Sequence, residues 1–167
     1  LGDVEGEVGE FSAAKAAYHE SLELGRQLQA SLGDTHLALR DLSISLEKLG
    51  DAEHDAGHLS AATAAYHESL ELRRQLRVIL GDTPQVLRDL SVSLDRLGNI
   101  EREAGRLPAA TAAYRESLEL RKQLRASLGD TPLALRDLSI SLDRLGDMEL
   151  DAGNLAAATV AFRESLE

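Results

Sequence analysis

The sequence predicts an all-α protein, an α-solenoid of antiparallel helix pairs, and three observations carry that expectation. A period of 48 residues runs through the 167-residue chain, with LGD at 1–3, LGD at 49–51, LGN at 97–99 and LGD at 145–147 and no insertion or deletion between them. Ala and Leu dominate while aromatics make up 3% and Trp is absent, the composition of helices packed through small and unbranched side chains. Within each period the apolar residues recur at spacings of three and four, which line one face of a helix.

The frame sets units at 1–48, 49–96 and 97–144, and a partial unit at 145–167, as one repeat domain. Residues 49–96 and 97–144 agree at 35 of 48 positions, so the units solve one packing problem and are expected to stack. The sequence starts at Leu1 rather than Met, which is expected of a piece of a longer protein.

Punctuation divides a unit into two helices. In LGDTP at 80–84, Gly81 can end a helix in a left-handed conformation, Thr83 is an N-cap and Pro84 suits a first helical position. The first helix should run to about Ala104, where Gly105 stops it. Pro108 then sits at or near the start of a second helix, which runs to about Leu128 before Gly129-Asp130-Thr131-Pro132 repeats the break. Each helix is about 20 residues and roughly 30 Å long.

Leu87, Leu90, Leu94, Leu97 and Ala104 mark the buried face of the first helix, and Gly98 lies on it. A glycine within a helix costs about 1 kcal/mol relative to Ala, so its recurrence as Gly2, Gly50, Gly98 and Gly146 predicts close backbone contact with a neighbouring helix. The second helix presents Leu107, Ala110, Tyr114, Ser117, Leu118 and Leu124 inward, and Arg115, Glu116, Glu119, Lys122 and Gln123 to solvent.

Eighteen basic against twenty-nine acidic residues give a net charge of -11, a field that repels phosphate backbones and anionic membranes, so neither nucleic acid nor membrane is an expected partner. Cysteine is absent, which removes disulfides and thiolate metal sites. No apolar run approaches the roughly 18 residues of a membrane span and no signal pattern opens the chain, so a cytoplasmic location is expected.

The order Leu94, Leu97, Gly98, Ala110, Tyr114 resembles the tetratricopeptide repeat, in which a large apolar residue and Leu-Gly on one helix are followed by Ala and an aromatic on the next. Equivalent sets are Leu46, Leu49, Gly50, Ala62, Tyr66 and Leu142, Leu145, Gly146, Ala158, Phe162, with Leu1, Gly2, Ala14 and Tyr18 in the first unit. The family's usual period is about 34 residues. Here Glu101 replaces the family's tyrosine of the first helix and Lys122 its terminal proline, and both helices are lengthened. The chain is more similar to long-helix members, including kinesin light chains and large bacterial repeat proteins. The resemblance implies a right-handed superhelix that binds peptides or protein segments on a concave face lined by first helices.

In this frame the matching positions are Arg40, Ile44, Glu47, Asp51 and His54; Arg88, Val92, Asp95, Asn99 and Arg102; and Arg136, Ile140, Asp143, Asp147 and Leu150. They describe an acidic groove with an aliphatic ladder, suited to a protein or peptide carrying basic residues and a few apolar anchors. The alternative for each is a solvated helix face balanced by arginines, or packing against the next unit. His54, Arg102 and Leu150 share one site, as do Ala52, Ile100 and Met148, and these are the places where the units differ most.

Catalysis finds no support. Ser43, Ser45, Ser91, Ser93, Ser139 and Ser141 recur with the packing pattern and read as small polar residues between helices. His54 and His58 are four apart, but Gly57 should end the helix between them; no metal site and no cofactor are expected, and His19, His36 and His67 read as surface residues. Neither terminus reads as a polar cap, so open apolar faces and end-to-end self-association form a second expectation beside the noncatalytic peptide-binding scaffold. A regulatory or sensor segment of a larger enzyme or transcription regulator is a third.

Overall fold

The computed structural model describes the backbone of residues 2–166 and the side chains of residues 16–166. Among these the chain is all-α: α1 (Gly2–Leu32), α2 (His36–Asp55), α3 (Leu59–Leu80), α4 (Pro84–Glu103), α5 (Leu107–Leu128), α6 (Pro132–Asp151) and α7 (Leu155–Leu166). It is a helical-repeat solenoid that divides into two compact units, 1–80 and 81–167.

The breaks fall where the punctuation places them. Thr35, Thr83 and Thr131 are extended N-cap residues whose hydroxyls accept from the backbone N–H groups of Ala38, Val86 and Ala134 at 3.2–3.3 Å. Each cap satisfies one orphan donor, worth about 1 kcal/mol. Gly81 and Gly105, on either side of α4, have φ of 72° and 74°, a left-handed conformation that side chains resist.

In the first unit α2 and α3 are antiparallel: contacts step from Asp51–Tyr66 to Ser43–Ser69, one chain rising as the other descends. Their core joins Leu39, Leu42, Leu46, Leu49, Leu72 and Leu76 with Leu22 of α1. Burying each leucine contributes about 1.5–3 kcal/mol. In the second unit α4 and α5 repeat this arrangement through Asn99–Tyr114 and Asp95–Arg121, and α6 packs on α5 through Leu118, Leu138 and Leu142 and through Tyr114 with Met148. The inward residues expected of α5 are buried, except that Leu107 is only partly so.

Two expectations change. The repeated glycine is approached by a ring rather than by backbone. A methyl group at Gly50, Gly98 or Gly146 would lie 2.6, 2.7 or 2.5 Å from the aromatic ring of Tyr66, Tyr114 or Phe162, each sixteen residues on. Gly2, Leu1 and Ala14 of the first frame lie outside the described side chains. In addition, α1 runs unbroken through Gly9, the frame position of the turn glycines Gly57, Gly105 and Gly153. Each of those turns has an acid and a donor five residues apart, Glu53–His58, Glu101–Arg106 and Glu149–Asn154. The first frame reads Glu5 and Glu10, two acids with no donor to close a turn.

Candidate functional site

The expected partner-binding positions lie on α2 in the first unit and on α4 and α6 in the second. They do not share one environment. On α2, Arg40 is exposed and Ile44, Glu47, Asp51 and His54 are partly buried. On α4, Arg88 is partly buried, Val92, Asn99 and Arg102 are exposed, and Asp95 is buried at 4% exposure. On α6, Arg136, Asp143, Asp147 and Leu150 are exposed and Ile140 is partly buried.

Asp95 is therefore a correction: it belongs to the interior rather than to an open acidic groove. Its carboxylate accepts from the guanidinium of Arg121 at 2.6 Å and from the hydroxyl of Ser117 at 2.7 Å, and is ion-paired with Arg144 of α6. Arg121 goes on to donate to the Asp137 carbonyl at 3.0 Å and to the Ser141 hydroxyl, so this network joins α4, α5 and α6. Glu47 follows more loosely, accepting from Arg73 at 3.0 Å and from Ser69 at 3.5 Å. A buried carboxylate is tolerable because the cation and hydroxyl replace the water it loses.

The next turn of each helix carries a second polar lock. The Tyr66 hydroxyl donates to Asp51 at 2.7 Å, and that of Tyr114 to Asn99 at 2.6 Å. Burial pushes the Tyr114 phenol up, which keeps it a donor, while Arg144 and Arg102 pull the other way. Phe162 has no hydroxyl, so the equivalent Asp147 receives no such bond. Arg102 crosses to Asp151 of α6 at 2.8 Å.

A third set was legible only as a departure from the family pattern. Glu53, Glu101 and Glu149 are all buried near the end of their helices. Glu53 accepts from His58 at 2.8 Å with His19 of α1 at 3.9 Å; Glu101 pairs with Arg106; Glu149 accepts from Asn154 at 2.8 Å and from Arg115 of α5 at 2.5 Å. Asn154 and Arg115 hold the Glu149 carboxyl below the usual carboxylate range. Each glutamate thus closes its own turn, and Glu53 and Glu149 also reach the preceding helix. His19 and His58 have ordinary exposure for surface residues, yet both face this buried acid.

The serines bind helix to helix. Ser69 and Ser165 donate to the carbonyls of Ser43 and Ser139 at 2.9 and 3.3 Å, and the Ser117 hydroxyl, whose proton goes to Asp95, lies 3.1 Å from the Ser91 carbonyl. No group of three metal-ligating side chains among the described residues is placed to hold an ion, and no helix among them is long and apolar enough to cross a membrane. A cleft of about 590 Å³ lined by Lys122, Arg125, Leu138 and Leu142 lies beside α6.

Residues 90–125, which span most of α4, the turn and most of α5, match the model of the tetratricopeptide repeat family. That segment is similar to a tetratricopeptide repeat. The crystal structure of BtubC (BKLC) from P. vanneervenii is similar to this chain with a TM-score of 0.65 and 18% identity, over 93% of this chain and 56% of that one. The likeness shows the helical-repeat fold, and the chain spans little more than half the length of BtubC. The crystal structure of MamA aligns with a TM-score of 0.41 and 17% identity over 99% of this chain and 92% of that one. No curated protein matches the sequence.

Proposed function

We propose that the chain is a noncatalytic protein-interaction scaffold whose binding face in the second unit is formed by α4 and α6. Tetratricopeptide repeats act in general as modules that hold other proteins, and the match over 90–125 supports that class of function. The single observation that carries the face is the set of apolar side chains left uncovered beside exposed polar ones. Val92 is 39% and Leu150 44% exposed, with Ile140 partly buried near them in the pattern and Asn99, Asp143 and Asp147 exposed on the same helices. Such a surface suits an extended or helical segment with apolar anchors and a basic side chain for Asp147. Asp95 and Glu47 are better placed to hold the fold than to meet a partner.

The test is fluorescence anisotropy with a panel of labelled basic amphipathic peptides, comparing wild type with Asp147→Lys/Leu150→Ser. Binding weakened at least about tenfold by the substitutions and reduced by salt, with unchanged far-UV circular dichroism, is the expected result. Equal binding by both proteins overturns the α4–α6 face.

A specific feature favours self-association as a second reading. Leu24, Leu28 and Leu32 form an i, i+4, i+8 stripe on α1 and are 59%, 42% and 58% exposed, whereas the frame-equivalent Leu72 and Leu76 of α3 are buried. Sedimentation velocity over a wide concentration range separates this reading: a constant monomer mass removes it.

A further inference from the structure

We propose that α6 carries a second docking site, a groove that takes an amphipathic helix bearing the pattern Leu-Arg-x-x-Leu from a partner protein. The proposal rests on the reading of the chain as an interaction scaffold, but not on the α4–α6 face. The cleft of about 590 Å³ beside α6 adjoins a second of about 300 Å³, and Arg125, Leu138, Leu142 and Glu164 line both. Along this groove α7 covers α6 as far as Ser165, whose hydroxyl lies 2.9 Å from that of Ser139. The next turn of α6 toward its N-terminus is open: Leu135 is 42% exposed, whereas Leu39 and Leu87, at the same position of the repeat, are 0% and 2% exposed.

The other two hairpins show what fills such a place. On α2, Leu39 and Leu42 share one core with Leu72 and Leu76 of α3. On α4 the carboxylate of Asp95 accepts from Arg121 of α5 at 2.6 Å, and on α2 that of Glu47 accepts from Arg73 of α3 at 3.0 Å. The leucines and the arginine come from a single turn, Leu72-Arg73-Arg74-Gln75-Leu76 in α3 and Leu120-Arg121-Lys122-Gln123-Leu124 in α5. The acceptor side recurs on α6 as Leu135, Leu138 and Asp143, but Asp143 is exposed and has no hydrogen-bond or ion-pair partner among the described residues. Shape and charge therefore select the occupant: two leucines four apart for the apolar floor, and a cation next to the first of them for Asp143. A second copy of this chain fits less well. Its uncovered stripe reads Leu24-Gly25-Arg26-Gln27-Leu28, with glycine where the arginine is required, and Arg26 is already held by Glu68 at 3.1 Å and by Glu23.

The probe is a fluorescein-labelled peptide with the sequence of residues 119–131, titrated with the intact chain and read by anisotropy. Saturable binding is expected. Leu135→Ser and Asp143→Asn in the protein, both at exposed positions, should each weaken it about tenfold, as should Arg121→Gly in the peptide. The Arg121→Gly peptide should bind wild type and Asp143→Asn equally, because the pair is already broken. Far-UV circular dichroism of the variants is expected to match wild type, and the peptide substitution leaves the protein untouched. Asp147→Lys/Leu150→Ser, which tests the α4–α6 face, should keep the affinity for this peptide within about twofold, so the two readings fail separately. Absence of saturable binding, indifference to both Leu135→Ser and Asp143→Asn, or a wild-type chain that self-associates through Leu24 and Leu28 and excludes the peptide overturns the proposal.

Discussion

Glu47 in the first unit and Asp95 in the second occupy one position of the repeat and meet arginines at one position, yet they are not equivalent. The Glu47 side chain is 12% exposed and lies 3.0 Å from Arg73, while that of Asp95 is 6% exposed and lies 2.6 Å from Arg121. The extra methylene of Glu47 carries its carboxylate outward, where Ser69 reaches it only at 3.5 Å; the shorter Asp95 stays between the helices, where Ser117 reaches it at 2.7 Å and Arg144 joins from α6. Asp95 thereby becomes a knot joining three helices, α4, α5 and α6. An acid's place in the pattern does not by itself say whether it serves a surface or a core.

The largest effect expected is from removing the deeper acid. Asp95→Ala leaves the Arg121 guanidinium buried without its counter-charge and should cost about 3–5 kcal/mol, whereas Glu47→Ala should cost roughly half as much because the Glu47 contacts it removes are longer, 3.0 Å to Arg73 and 3.5 Å to Ser69. Urea unfolding followed by circular dichroism distinguishes these, and equal losses would break the link between depth and strength. Next in size is the glycine under the ring. Gly98→Ala drives a methyl into Tyr114, an overpacking cost of about 1–3 kcal/mol. Gly50→Ala should match it, since the Tyr66 ring approaches equally closely, and unequal costs would show that the two pairs differ in more than their acids. The smallest effect concerns the phenol. Tyr114→Phe should lose about 1 kcal/mol with the Asn99 hydrogen bond, and Phe162→Tyr should gain up to about that by donating to Asp147. Thermal midpoints of the two variants moving in the same direction would refute the assignment.

Much of the fold was legible because its signals are local. The Gly-Asp-Thr-Pro breaks placed α4 and α5 to within a residue, and the three-and-four spacing placed Leu87, Leu90, Leu94, Ala110 and Tyr114 in the core. The site was less legible because periodicity sorts apolar from polar residues, and it placed Glu47 and Asp95 on the expected groove face although Arg73 and Arg121 draw them inward. Their partners are 26 residues away in sequence. A signal was nonetheless present: the acid and the arginine recur together in both of these pairs, while the neighbouring His67 and Arg74 change to Arg115 and Lys122. The invariant Glu53, Glu101 and Glu149 gave a similar hint, visible as a lost tyrosine but explained only once His58, Arg106 and Asn154 were seen closing the turns. The unbroken α1 had no such hint at Gly9, which is present in the frame; the departures around it are Gly6, Val8 and Glu10.

The aromatic rings seated on Gly50, Gly98 and Gly146 have one more consequence. Each ring and its glycine belong to the same hairpin, so the angle between the two helices is set before any neighbour arrives. A hairpin that carries its own alignment can be copied as a cassette. Another 48 residues inserted in frame bring both halves of the lock with them, and the array can lengthen or shorten over generations without a new fit being found at each joint.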